Sequence, residues 1–420
     1  MPKQHVDLII ENASELATPV GGSQKPLVGK QMQALRIIKN AALAVKDGKI
    51  VSVGKTVSAT SAFKATETID ARGKTVIPGF VDPHTHLVFA GSREKEFEMR
   101  LKGASYMEIH REGGGILKTV RETRQATENE LTYNCKRTLD IMLEHGTTTV
   151  EAKSGYGLTI KDESKCLRVI QQVHKAHAVD LVPTFLGAHA IPLEYEGKTE
   201  DYVNLVVKGM IPSVAGARLA EFCDVFCEDG VFTIEQARRI LRAGVKSGLK
   251  PKLHADELTP FGGAELAAEV GAVSAEHLLY ASDAGLKMMS ERGVIAVLLP
   301  AASFTLMTQR YADARNMIEL GVPVALGTDF NPGCWVESQQ LVIAMACRQL
   351  RLTPAEALTA STLNAAHAVN RAAEVGSLEK GKKADVLILD APNHSFLGYR
   401  FGTNLVSKVF KEGKLVVDLE

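Results

Sequence analysis

The feature that most restricts the fold of this chain is a repeated alternation. Eight short apolar runs are separated by helix-length segments: VIPGFVDPHTH, GTTTVEAKSGY, DLVPTFLGAHA, CDVFCEDG, KPKLHADE, AVSAEHLL, VIAVLLP and VPVALGTDFNPG. From Gly146 onward they recur every ~20–40 residues, with pieces such as FTIEQARRILRAGVKSG between them, the rhythm of βα units. Eight units predict a closed (β/α)8 barrel. The alternative is an open doubly wound sheet, which calls for a glycine-rich nucleotide turn after its first strand. PGFVDPHTH is not one.

Both chain ends read differently from the middle. DLIIENA, LRIIKNAALAVKDGKIVSVG and TETIDARGKTVIPGF are β-rich runs broken by Asp-Gly and Arg-Gly turns. VGSLEKGKKADVLILDAP and LVSKVFKEGKLVVDLE repeat that style near the C-terminus. Neither end covers both faces of its strands alone. Residues 1–78 and 370–420 are therefore expected to form one small β-domain, with residues 79–369 as the barrel inserted between them. The first two runs are separated by about 60 residues, a length usually functional at a barrel mouth. Gly113 to Gly115 in that gap read either as a flexible turn or as an anion nest.

Lys+Arg and Asp+Glu both number 49, so the net charge is zero. That balance gives no basic surface for nucleic acid and no polybasic patch for a membrane, and leaves a small-molecule substrate as the expected partner. The six cysteines, Cys135, Cys166, Cys223, Cys227, Cys334 and Cys347, form no CxxC pair. MPKQHVDLII lacks the apolar core of a signal peptide, and no apolar stretch reaches about 18 residues. A cytoplasmic protein in a reducing compartment is expected, and a homodimer is the expected assembly.

Polar residues gather at the ends of the runs. His84 and His86 close the first, Tyr156 follows the second and His189 ends the third. Cys227 and Glu228 end the fourth, His254 with Glu257 the fifth, His277 the sixth and Asp329 the eighth. Barrel active sites are built at such strand ends. At i and i+2 on a strand, His84 and His86 point to one face. With His254 and Asp329 they make a three-nitrogen, one-carboxylate set of the kind that holds a catalytic metal and leaves room for water. Read singly, His254 is equally a core histidine and Asp329 the start of an Asx-turn in DFNPG. Glu257 is placed to shuttle a proton, Asp329 to take one from water, and His277 to hold an oxyanion. Cys223 and Cys227 read as small buried apolar residues.

At PGFVDPHTH, HADE and GTDFNPG the chain resembles the amidohydrolase superfamily, and the resemblance spans its whole length. It implies a distorted (β/α)8 TIM barrel with a small β-sandwich domain built from both termini. The fourth run lacks the lysine of two-metal members, and HADE is similar to the HxxE of one-metal members. The resemblance thus implies one zinc or iron ion on His84, His86, His254 and Asp329. HTHLVFAGSREKEF, EAKSGYGL and FLGAHAIPLEY look like the branch that opens an imidazolone ring carrying a propionate. By that resemblance Arg93, Tyr106, Tyr156, His189, Glu257, Asn331, Gly333 and Cys334 would line the substrate, Cys334 through its backbone. An arginine suits the substrate's carboxylate, because a guanidinium grips it bidentately. A one-metal deaminase of a cyclic amidine or nucleobase is the alternative, and a metal-free barrel serving as a scaffold is a second.

Overall fold

The computed structural model describes residues 3–103 and 114–420. Eight parallel strands form one sheet in sequential order: β1 Phe80–Asp82, β2 Thr147–Lys153, β3 Asp180–Ala188, β4 Phe222–Cys227, β5 Lys250–Ala255, β6 Ser274–His277, β7 Ile295–Leu298 and β8 Val324–Leu326. The eight apolar runs are these strands. β1 and β8, three residues each, do not pair along their length. The barrel closes just beyond them, at a parallel bridge between Thr85 and Phe330. There His86 N donates to Phe330 O at 2.8 Å, and Asp329 N donates to His84 O at 3.1 Å.

Local sequence explains how the helices seat on this barrel. In Ile234–Lys246 the buried residues are Ala237, Ile240, Leu241 and Gly244, one face of a 3.6-residue repeat. A capping box of Thr233 and Gln236 starts that helix. A Cβ on Gly244 would lie 2.8 Å from the Cβ of Cys223, so helix and β4 touch directly and Cys223 is a packing residue. All six cysteines are unpaired, and Cys223 and Cys227 are buried as expected. Among the described residues, α1 Glu94–Leu101, α2 Ile116–Gln125 and α3 Glu128–Glu144 follow β1, and α4 Ile160–Ala176 follows β2.

The termini build two further sheets. Four N-terminal strands run in the order Lys49–Lys55, Ala41–Lys46, Gln4–Ala13, Phe63–Asp70. A six-stranded sheet mixes both ends of the chain, with Val386–Leu389 antiparallel to Thr75–Pro78. Leu8, Ile10, Leu43 and Val45 share a core with Val386, Ile388 and Phe410. Apolar faces that neither end can cover alone are buried against each other, as the terminal runs predict.

The barrel interior departs from the aliphatic filling usual for this architecture. Glu151 and Lys153 of β2, Asp224 of β4, Lys252 of β5 and Glu276 of β6 all point inward and are fully buried. Lys153 Nζ lies 2.9 Å from Glu151 and 2.8 Å from Asp224; Lys252 Nζ lies 3.2 Å from Glu151 and 3.6 Å from Glu276. Removing one partner of such a set strands the others without water. Lys153→Met is expected to destabilise the protein by about 3–5 kcal/mol. Urea unfolding monitored by circular dichroism checks this, and a loss under ~1 kcal/mol would show that the layer relaxes or hydrates.

Candidate functional site

The metal-type donors lie where the barrel closes. His84 and His86 leave β1 toward the interior, and the backbone bonds of the closing bridge bring Asp329 to them. Asp329 Oδ1 lies 3.4 Å from His84 Nε2 and 3.6 Å from His86 Nε2. His254, at the end of β5, puts its Nε2 3.4 Å from His86 Nε2. Among the described residues two groups of possible metal ligands share His84, His84–His86–Asp329 and His84–His254–His277, and a third, Asp224–His254–Glu276, joins them through His254. His84 Nδ1 and Nε2, His86 Nδ1 and Asp329 Oδ1 are buried without hydrogen-bond partners among the described residues. Buried polar atoms without partners are costly, and an ion coordinated by nitrogen and carboxylate oxygen removes that cost. The donor set therefore fits the metal site expected from the sequence. Asp329 has φ 53°, a strained value for aspartate that the seam imposes.

Asp329 does not make the Asx-turn of DFNPG. Asn331 does: its Oδ1 accepts from Gly333 N at 2.7 Å and Cys334 N at 3.1 Å, while its Nδ2 donates to Asp329 O at 2.8 Å. Asp329 is thereby left free to face the histidines. Cys334 is buried and turns its thiol toward Thr328 O at 3.6 Å.

Beneath the donors, Asp224 Oδ2 lies 3.0 Å from His254 Nδ1, off the ideal donor line. Burial pulls His254 down, but Asp224 outweighs it and the net shift is upward. Glu257 follows His254 by three residues and sits with Oε2 3.5 Å from His277 Nε2. Burial, with Asp329 adding, pushes Glu257 up to about 8. Asp329 is pushed up to about 6 by burial. His277 is held well below the usual histidine range by burial and so is neutral.

The HADE turn is fixed by two carboxylates: Glu228, which the sequence reading places at the end of the fourth run without a role, and Asp256, which it passes over. Glu228 accepts from Glu257 N at 3.0 Å and Leu258 N at 2.9 Å, and also from the Thr259 hydroxyl. Asp256 takes four backbone N–H groups, from Phe261 to Ala264, at 2.8–3.0 Å.

The opposite wall carries Tyr156, His189 and Arg93. Glu163 of α4 sits under the SGYGL loop and accepts from Gly155, Gly157 and Leu158 N at 2.8–3.2 Å. Gly155 has φ 111°, and a Cβ there would meet His189 Nδ1 at 3.0 Å, so only glycine fits. Gly155 O faces His189 Nδ1 at 3.0 Å. A carbonyl accepts only, so Nδ1 carries the proton and Nε2 is left as an acceptor. Burial pushes His189 down to about 3, which keeps it neutral. The Arg93 guanidinium lies against Tyr156, and its Nη2 is buried with no partner among the described residues. Gly333 faces Arg93, since a Cβ there would come within 3.6 Å of Nη1. Tyr106 and Gly113 lie outside the described residues. Gly115 N donates to Glu96 Oε1 at 3.0 Å.

Sequence reading thus located the donors and Arg93, Tyr156, His189, His277 and Glu257 on one face. It gave Glu228 no role and missed Lys153, Asp224, Asp256 and Glu163. One signal was available: charged residues inside otherwise apolar barrel runs, as in TVEAK, CDVFC and KPKLH.

A model described as the amidohydrolase family matches residues 232–416, and a second of the same description matches residues 67–111. The chain is 54% identical over 416 residues to a protein named imidazolonepropionase from Geobacillus thermodenitrificans, covering 98% of each. It is 51% identical over 416 residues to one of that name from Alkaliphilus metalliredigens, again covering 98% of each. Among solved structures it is similar to an adenosine deaminase from Xanthomonas campestris with bound zinc (TM-score 0.74, 20% identity, 100% and 94% coverage). It is also similar to E. coli guanine deaminase (TM-score 0.75, 14% identity, 98% coverage of each). At these identities the two structures speak for the fold.

Two outcomes follow from this geometry. Asp224→Asn removes the charge behind His254 and is expected to weaken metal binding by about 10–100-fold, measured by competition with a chelator. In the metal-free protein Glu257 has a folded value of about 8 against the ordinary 4.5. Its contribution to stability is full below about pH 4.5 and is lost as the pH rises through about 8. Urea melts of the metal-free protein should therefore show Glu257→Gln gaining stability over the wild type as the pH goes from about 5 to about 9. A difference constant across that range would contradict it.

Proposed function

The chain belongs to the imidazolonepropionase family of amidohydrolases, and we infer from this and from the site that it hydrolyses 4-imidazolone-5-propanoate to N-formimidoyl-L-glutamate in histidine degradation. Water adds to the ring carbonyl and the amide C–N bond breaks. The carbonyl carbon leaves the reaction as a carboxylate, and the ring nitrogen remains in the formimidoyl group. The observation that carries the reading is the buried Nη2 of Arg93, without a partner among the described residues, on the wall facing the donor cluster. A substrate with a carboxylate arm satisfies it. A neutral nucleobase leaves it unpaired, which disfavours the deaminase alternative.

We assign His84, His86, His254 and Asp329 to hold one ion, zinc or iron, both compatible with imidazole and carboxylate ligands. Such an ion supplies water acidified toward pKa ~7 and polarises a carbonyl oxygen. Asp329 is placed to receive the proton of the attacking water. Glu257, beside His277, is placed to pass a proton to the departing ring nitrogen. His277, neutral, donates to the developing oxyanion. His189 Nε2 accepts from a ring N–H. Arg93 grips the propionate with Tyr156, and with Tyr106, which lies outside the described residues. Asn331, Gly333 and Cys334 complete the wall by shaping the loop beside Arg93.

We further propose residues 1–78 with 370–420 as one folding unit and 79–369 as the other, and a homodimer in the cytoplasm. The six unpaired cysteines support a reducing compartment. No helix among the described residues is long and apolar enough to cross a membrane.

Turnover followed by loss of imidazolone absorbance should disappear on chelation and return with zinc or iron. Glu257→Gln is expected to lower kcat by about 10²–10⁴-fold with metal content unchanged. Near wild-type kcat in that variant, or ammonia release from cytosine or guanine in place of ring opening, would overturn the assignment.

A further inference from the structure

Arg93 and Tyr156 reach the site from distant parts of the chain, yet both are tied to α2. In its first turn Thr119, 1% exposed, accepts from Arg93 Nε through its hydroxyl at 3.0 Å. In its last turn Arg124 Nε donates to the carbonyl of Gly157, the residue after Tyr156, at 2.7 Å. Arg124 is itself held by Glu194 at 2.8 Å. Lys165 of α4 binds the carbonyls of Thr123, Arg124 and Ala126 at 2.8–3.0 Å, so the far end of α2 is fixed in place.

An arginine has many rotamers, and bidentate grip of a carboxylate needs two N–H groups in one plane. Anchoring Nε at Thr119 turns the Nη groups to the site beside Tyr156, and Nη2 has no partner among the described residues. The second arm, Tyr156, is fixed by the loop that Arg124 and Glu163 hold. The two anchors are five positions apart on the helix, about 7.5 Å along its axis, and a hydrogen-bonded helix does not stretch.

We propose that Thr119 and Arg124 are positioning residues: through one rigid helix they set the separation between the Arg93 guanidinium and the Tyr156 hydroxyl. That separation selects the length of the carboxylate arm the enzyme accepts. This rests on the reading that Arg93 binds the propionate. Neither residue touches the reacting atoms, so loss of either moves KM for substrates with an arm and spares the chemical step.

The test compares metal-replete wild type, Thr119→Val, Thr119→Ser and Arg124→Met. The substrates are imidazolones bearing propionate, an arm one methylene shorter, or no arm. For Thr119→Val, KM for the propionate substrate should rise about 10-fold with kcat within about twofold, since the anchor serves a charged group. Its preference for propionate over the shorter arm should shrink, and its kinetics on the armless ring should match wild type. Thr119→Ser restores the hydroxyl and should behave as wild type. Arg124→Met, acting at the other end of α2, should shrink the same preference and covers the case in which Thr119→Val fails to fold. Unchanged arm preference in the folded variants overturns the proposal, as does an equal loss on armed and armless substrates. Arg93→Met separates the two readings. If it keeps the wild-type KM for propionate, the assignment of Arg93 falls. If it loses that KM while Thr119→Val and Arg124→Met do not, only the helix proposal falls.

Discussion

The structure depends most on the way the barrel closes. β1 and β8 are too short to zip together, so the circle is completed by backbone bonds beyond their ends, between His84 and Asp329 and between His86 and Phe330. The residues that close the barrel are also those that carry the metal-type donors. Fold and site are therefore one constraint: a chain that failed to close would separate Asp329 from the histidines. Asp82 locks the seam from below, accepting from the Thr328 hydroxyl at 2.6 Å and Thr328 N at 3.1 Å. It does so at an electrostatic cost, since burial pushes its carboxyl up to about 7.

A second regularity is how the loops at the mouth are held. Three segments at the mouth wrap buried carboxylates: Glu163 under Tyr156, Glu228 and Asp256 under Glu257, and Asp82 under the seam. Backbone N–H groups left over where strands end need acceptors, and a carboxylate supplies two oxygens at once. The arrangement makes the mouth rigid without long secondary structure there. The ion-paired layer below it, with Lys153 and Lys252 among three carboxylates, supports Asp224 and through it His254.

Much of this was legible in the chain itself. The period of the apolar runs specifies a barrel because eight βα units bury their strands only by closing. Polar residues at run ends fall on one face because parallel strands point the same way. Glu163 looked like an ordinary helix residue, and Asp224 was hidden between two cysteines. Their roles depend on which N–H or imidazole comes to face them, and that contact spans loops and strands. Asn331 shows the same limit: a strong turn motif allowed either Asp329 or Asn331 to make the turn, and only the seam decided which.

The sequence by itself determined the architecture, the set of metal-type donors and the presence of an arginine for a carboxylate. Period and residue type carry that information locally, and parallel strands convert it to position. The tertiary structure alone decided which nitrogen of His189 carries a proton, why Asp329 is free to coordinate, and what holds Arg93 and Tyr156 at a fixed separation. Those properties arise between groups far apart in the chain. Burial there removes water as the alternative partner, so geometry alone determines which bonds each polar atom makes.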